Sequence, residues 1–291
     1  MAKRTCGEDM RDSSGKRRVA RGAGYLLTAI FASATPVAAE PDADEAPPIA
    51  LDANKVSEPM RIRVAAGPQF QPAFPGDDRM TFQPLAMLSR ARGDRPFPFG
   101  APRDGNGLTL FRLGPLEVGP MFRLEGRRRS RDLGGDLPEV DRTVEVGGFT
   151  QLWFGEHVRL RADLRKGLGG HKGWVSQIGA DAIARDGDRW LVSLGPRFTL
   201  SDQKYQRAWF GVTPATAATT GLTAYDPQGG AQSIGAVGRG LLSFNERWGM
   251  VAQFTYARLI DDAERSPIIR RADSADQFGV GVGLTYTFSI H

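Results

Sequence analysis

The sequence predicts an all-β fold: an antiparallel transmembrane β-barrel of about twelve strands, of the outer-membrane type. Three observations carry it. Apolar and polar residues alternate along many segments of strand length, a secretory leader stands at the N-terminus, and aromatic residues gather near segment ends. Composition alone looks ordinary, with 41% hydrophobic and 24% charged residues. No run of about 18 apolar residues is present, which argues against a membrane helix. It does not argue against a barrel, whose lipid-facing residues are diluted one in two along each strand.

Residues 1–39 read as a cleavable signal peptide. Lys16, Arg17, Arg18 and Arg21 precede the short apolar run "AGYLLTAIFASA", and Val37 and Ala39 stand at the small-residue positions before a cut. Removing this leader takes away seven basic and three acidic residues and leaves a net charge of +1. The high pI therefore belongs to the leader and gives no reason to expect nucleic-acid binding. Cys6 leaves with it, so the mature protein has neither a disulfide nor a thiolate metal site. Residues 40–60, acidic and rich in Pro and Ala, read as a flexible periplasmic segment, and 61–291 as the barrel.

Within the barrel region the alternation is explicit. In "VRLRADLR", Val158, Leu160, Ala162 and Leu164 alternate with Arg159, Arg161, Asp163 and Arg165. In "QFGVGVGLTYTF", Phe278, Val280, Val282, Leu284, Tyr286 and Phe288 alternate with small or polar residues. Segments of this kind span 62–70, 81–90, 107–114, 116–127, 143–154, 158–168, 173–185, 190–202, 205–212, 231–244, 248–260 and 277–288. The first and last are expected to pair and close the wall. A soluble sandwich would show the same period with its apolar face inward. Strand length, leader and aromatic placement favour a barrel with lipid outside and charge within. Candidate lumen charges are then Arg159, Arg161, Asp163, Arg165, Asp181 and Arg197. Candidate interface aromatics are Trp174, Trp190, Trp209, Trp248, Tyr286 and Phe288. With both ends of the barrel periplasmic, 213–230 and 261–276 become external loops, while 91–106 and 128–142 become long periplasmic connections.

The densest basic patch, "EGRRRSRD", offers Arg127, Arg128, Arg129 and Arg131 as a contact for lipid phosphate or an acidic partner, set against the plainer reading of a solvated loop. His157 and His171 fall in turns and read as solvated. No ligand-spaced histidines, nucleophile elbow or phosphate loop is found. The sequence therefore suggests no metal, cofactor or enzyme activity. "RGD" at 92–94 is a chance-length match, and "GVGVG" at 279–283 lies inside a strand.

"GPRFTLSDQKYQRAWFGV" (195–212), "GLTAYDPQGG" (221–230), "RWGMVAQFTYARLIDDAERSPII" (247–269) and the terminal "GVGLTYTF" together resemble the MipA/OmpV family of Gram-negative outer-membrane proteins. "GPMFRLEGRRR" and "GGHKGW" are weaker marks of the same kind. The resemblance implies an outer-membrane barrel in contact with lipid and with the barrel assembly machinery. It implies a non-enzymatic scaffold linking murein enzymes, a lytic transglycosylase and a penicillin-binding protein, to the outer membrane. The alternative is a passive pore for small solutes, motivated by the charged inner faces.

Overall fold

The computed structural model describes residues 58–130, 132 and 137–290. The leader and most of the 40–60 segment lie outside the described residues, as does Arg131.

The wall is one curled sheet of twelve strands with every pairing antiparallel. Its strands are β1 (Met60–Pro72), β2 (Met80–Arg92), β3 (Asn106–Gly107), β4 (Phe111–Leu113), β5 (Leu116–Glu125), β6 (Thr143–Phe154), β7 (Val158–Gly169), β8 (Trp174–Asp186), β9 (Trp190–Ser201), β10 (Gly230–Ser243), β11 (Trp248–Leu259) and β12 (Asp276–Ile290). The order runs β2-β1-β12-β11-β10-β9-β8-β7-β6-β5-β3, with β4 also on β5. Strands β1 and β12 pair, as expected, with Ile62 opposite Phe288 and Phe70 opposite Val280.

Alternation sorts side chains by face, as the period-two geometry of a strand requires. Leu160, Leu164, Ile178, Val192, Leu194, Phe254, Val280, Val282 and Leu284 stand exposed on the outer face. Arg159, Asp163, Arg165, Gln177, Asp181, Arg197 and Thr285 are buried on the inner one. An apolar belt of this extent is not tolerated in water, and together with a polar interior it marks a sheet whose solvent is lipid.

Some inner glycines supply room rather than flexibility. A Cβ on Gly167 would lie 2.2 Å from the His171 ring, and one on Gly179 would lie 2.7 Å from Cδ of Arg197. The bare positions on the inner face are where a neighbour's large polar side chain passes.

Four short helices lie off the sheet: α1 (Gln203–Phe210), α2 (Pro214–Thr220), α3 (Asp261–Arg265) and α4 (Pro267–Ala272). The segment expected as a strand at 205–212 is α1 instead. Asp202 caps it, its carboxylate accepting from the Tyr205 amide at 2.9 Å. Tyr205, Gln206, Trp209 and Phe210 then fall on one buried face. Over eight residues that spacing imitates a strand pattern. Thr213 and Pro214 start α2, and Ser266 and Pro267 start α4 in the same way.

Two corrections to the path follow. Residues 93–105 do not form a loop below the wall; they turn up inside it, with Phe97, Ala101 and Asp104 buried. The chain then descends through β3 and β4 along β5, with Leu108 and Leu110 amides also bonded to Pro120 and Val118 carbonyls. The connection 126–142 lies at the rim of Gly169–Trp174, Ser201–Gly230 and Leu259–Asp276, not at the rim of Met60 and Ile290. The rim holding Met60 and Ile290 (the terminal rim) carries short turns, among them 155–157, 187–189 and 244–247. The opposite rim carries every long connection apart from the inner segment.

Candidate functional site: lumen, inner segment and rim cap

Inner faces of β6–β9 and the inner segment build a charged network. Arg159 reaches Asp181 at 2.6 Å and Asp104 at 2.8 Å, and Arg197 reaches Asp181 at 2.7 Å. Arg161 donates to Gln151 at 2.8 Å and lies over the Phe149 ring at 3.9 Å. Arg165 meets Asp163 at 3.2 Å and Glu145 at 3.4 Å. The six charges taken from the sequence sit on the inner face in two ion-pair clusters, Arg159–Asp181–Arg197 and Arg165–Asp163, with Arg161 held by Gln151 instead. A buried pair of this kind is costly to dismantle one partner at a time.

The inner segment is tied to the wall at several points. Asp188 receives Arg61 at 2.9 Å and the Phe97 amide at 2.9 Å. Arg185 donates to the Phe97 carbonyl, and Arg239 to the Gly100 carbonyl. Phe99 stands under Arg159 and edge-on to Trp153. Alternation in "RIRVAA" and "VEV" could have placed Arg61, Arg63 and Glu145 inward. Asp104 lies in a Pro- and Gly-rich stretch without periodicity, where nothing in the sequence pattern marks it.

His171 is the main reversal among the turn residues. It is buried, accepts the Gly173 amide at Nδ1, and so carries its proton at Nε2, 3.1 Å from Glu145. Tyr205 packs against its ring at 4.6 Å. His157 is exposed, as expected of a turn. Among the described residues no group of three or more His, Cys, Asp or Glu is disposed to hold a metal ion.

Above the network, the long connections close into a small core. Phe74, Leu137, Val140, Tyr205, Trp209, Phe210, Leu259, Ile268 and Ile269 bury one another at the rim opposite the termini. Phe74 stacks on Trp209 at 5.7 Å. Arg128 fastens this cap: its guanidinium donates to the Trp209, Ala208 and Pro138 carbonyls at 2.5, 3.0 and 3.2 Å. A cation at the end of α1 meets the carbonyls that a helix leaves without partners. Burial pulls Arg128 down to about 10, still protonated at neutral pH. Burial also pushes the Asp77 carboxyl and the Tyr205 phenol above their ordinary values.

Two groups of sequence candidates therefore divide. Trp174, Trp190 and Trp248 are exposed on the outer face at strand ends, and Tyr286 and Phe288 continue the Trp248 cluster at the terminal rim. Trp209 is wholly buried in the cap and touches no interface. Arg127 is exposed and Arg129 half-buried, whereas Arg128 is spent inside the cap, so the basic patch is not one contact surface.

The family model described as "MltA-interacting protein MipA" matches residues 64–288, essentially the whole sheet. The chain belongs to the MipA family. No curated protein matches it. Among solved structures, this MipA-family chain is similar to the COG4313 outer membrane channel from Pseudomonas putida F1, at 11% identity and a TM-score of 0.38, over 84% of this chain and 100% of that one. It is also similar to the outer membrane protein OprG from Pseudomonas aeruginosa, at 12% identity and a TM-score of 0.22, over 80% and 97% of the two chains. With its lipid-facing belt and polar interior, the MipA-family chain is an outer-membrane β-barrel protein.

Proposed function

We propose that this chain is a non-enzymatic outer-membrane anchor whose partner is a murein lytic transglycosylase, the class of protein named in the family description. The observation that favours an anchor over an axial pore is the filled interior. The inner segment 93–105 crosses the lumen, its Asp104 is paired with Arg159, and a buried core roofs one rim. A water-filled porin needs neither a roof nor a chain segment across its lumen.

Bacterial barrels keep short turns on the periplasmic side and long loops outside. By that rule the terminal rim faces the periplasm and the cap faces out. The partner would then meet the short turns of the terminal rim and the chain that leads into β1, not the long connections first expected there. The exposed Trp190, Trp248 and Phe288, with the half-buried Tyr286 between them, would mark the periplasmic interface, and Trp174 the external one.

Cross-linking in intact envelopes, followed by purification of this chain, tests the proposal. A lytic transglycosylase, alone or with a penicillin-binding protein, is the expected product. Recovery of no murein enzyme, with steady conductance of the purified barrel in planar bilayers, would establish the passive pore instead.

A further inference from the structure

The sheet has two free edges, β2 and β3–β4. Both run from the capped rim towards the terminal rim, because the chain returns through the lumen between them. They run in the same direction, whereas every bonded pair in the wall is antiparallel. Pro68 stands directly opposite Pro84 in the β1–β2 ladder. Neither has an N–H, so this pair exchanges no backbone bond, and the backbone of Pro84 faces the free edge. By the same alternation Phe82, Ala86 and Leu88 present their amides there. In hydrocarbon, such groups are costly without hydrogen-bond partners, so this edge is a weak place in the wall.

The edges frame an opening. A cavity of about 1240 Å³ is lined by inner residues such as Arg63 and Arg239, by the bilayer-facing Ala86 and Leu88 of β2, and by Leu108 beyond the gap. It therefore runs from the lumen to the membrane-facing surface. Its mouth is apolar at Ala86, Leu88 and Leu108, with Arg90 next along the same face of β2, and its lining holds nine arginines against five carboxylates. Four of those arginines pair with acid (Arg112, Arg123, Arg159 and Arg185), and five do not: Arg63, Arg90, Arg103, Arg161 and Arg239. Of the five, Arg63 and Arg239 are the two that meet the inner segment between Phe97 and Gly100. Arg63 donates through Nε to Thr287 and lies over Phe97 at 4.2 Å. Arg239 bonds the Gly100 carbonyl and Gln253 and leaves Nε without a partner. Among the described residues neither meets a carboxylate, and Asp188 is taken by Arg61 and Arg185. Both guanidiniums rest on the inner segment, one at Phe97 and the other at the Gly100 carbonyl.

We propose that the gap between β2 and β3–β4 is a lateral portal, and that the cavity takes an anionic single-chain amphiphile from the bilayer. The acyl chain lies across the Ala86–Leu88 and Leu108 mouth. The carboxylate or phosphate head binds Arg63 and Arg239, matching the surplus positive charge. The inference is independent of any murein partner, since it concerns the wall and not the terminal rim.

The test uses the full chain in phosphatidylcholine nanodiscs, titrated with dansyl-undecanoate. Saturable binding with blue-shifted emission is expected. Arg63→Gln and Arg239→Gln should each weaken it about tenfold while the folded, heat-modifiable band persists. A dansyl alcohol of the same length should bind weakly and equally to all three proteins. Ala86→Trp, which leaves both arginines in place, should narrow the mouth and block uptake. Stronger competition by lysophosphatidic acid than by laurate would identify a phospholipid-derived ligand; the reverse would identify a free fatty acid. Absence of saturable binding, or binding unchanged in both arginine variants, overturns the proposal. So does a disulfide-linked dimer of Leu88→Cys protein, which would show that a second copy covers the edge.

Discussion

Two joints bring distant parts of this chain side by side, and they are built differently. At the β1–β12 joint, Met60 to Phe70 pairs with Ile290 to Val280 in one antiparallel register. At the β2–β3/β4 seam no backbone bond joins the edges. Residue type does not separate them, since β2 is as apolar outside as β1. Direction does. A chain that re-enters through the lumen arrives at the wall running parallel to the strand it left. Parallel neighbours need a different, slanted bond pattern, which the short, bulged β3–β4 stretch does not supply here. The joint is a closure; the seam is an opening.

The largest expected effect lies in the arc opposite the seam, where wall and lumen charges support each other. Asp181→Ala leaves two buried guanidiniums, Arg159 and Arg197, with Asp104 alone, which lies 2.8 Å from the first and 3.7 Å from the second. A loss of about 3–5 kcal/mol is expected, read as a lower urea midpoint for the folded band. A midpoint unchanged from the parent would show the network to be wet and dispensable.

The sharpest contrast is between two alanines that face each other across the β1–β2 ladder, Ala66 and Ala86. By the Pro68–Pro84 phase, the Ala66 amide bonds to β12 and the Ala86 amide faces the seam. Ala66→Pro should cost about 2–3 kcal/mol through a lost ladder bond and a stranded carbonyl. Ala86→Pro should stay within about 0.5 kcal/mol. Equal losses in the two would mean that the seam is bonded in the membrane.

Legibility in the sequence follows the same division. The alternating runs from β5 to β9 and from β10 to β12 were readable, because each pairs with its neighbour and buries one face. The lumen charges on β7 to β9 followed from that phase alone. Arg61, Arg63 and Glu145 obey it too, and were missed only because the early and flanking strands alternate less cleanly. The sidedness of 126–142 was not readable. It hinged on 203–210 being a helix, a choice made by the Asp202 cap and the Trp209 core contacts, and on the lumenal path of 93–105. Both depend on partners remote in sequence, such as Phe74 for Trp209 and Asp188 for Phe97. His171 likewise became buried through Glu145 and Tyr205, which no local pattern announces.

The cap offers a smaller effect that is separable from the wall. Arg128→Met keeps a long apolar stem and removes three carbonyl partners of α1 and Pro138. A loss of about 1.5–3 kcal/mol is expected, confined to the cap. Limited proteolysis should cut first between α1 and β10 while the sheet stays heat-modifiable. Simultaneous unfolding of the wall would show that cap and barrel form one cooperative unit.

The smallest effect tests the outer fastening of that cap by pH. Asp262 on α3 accepts from Arg265 at 2.6 Å, from the Gln228 amide at 2.7 Å and from the Tyr225 hydroxyl at 3.2 Å. The Arg265 hydrogen bond first, then the Gln228 amide, holds its carboxyl below the usual aspartate range. A carboxyl depressed in the folded state stabilises that state above its unfolded value, about 3.9, and the contribution fades as pH falls through the folded value. The clasp is therefore complete at neutral and mildly acidic pH and is lost only in stronger acid. Because Asp262 is near the surface, solvent screening keeps the contribution slight. The Gln228 amide resonance should titrate with a midpoint below the ordinary aspartate range, and Asp262→Asn should abolish that titration. A midpoint at or above the ordinary range would mean that 225–228 is not fastened to α3, and that the cap is held by Arg128 and the Trp209 core alone.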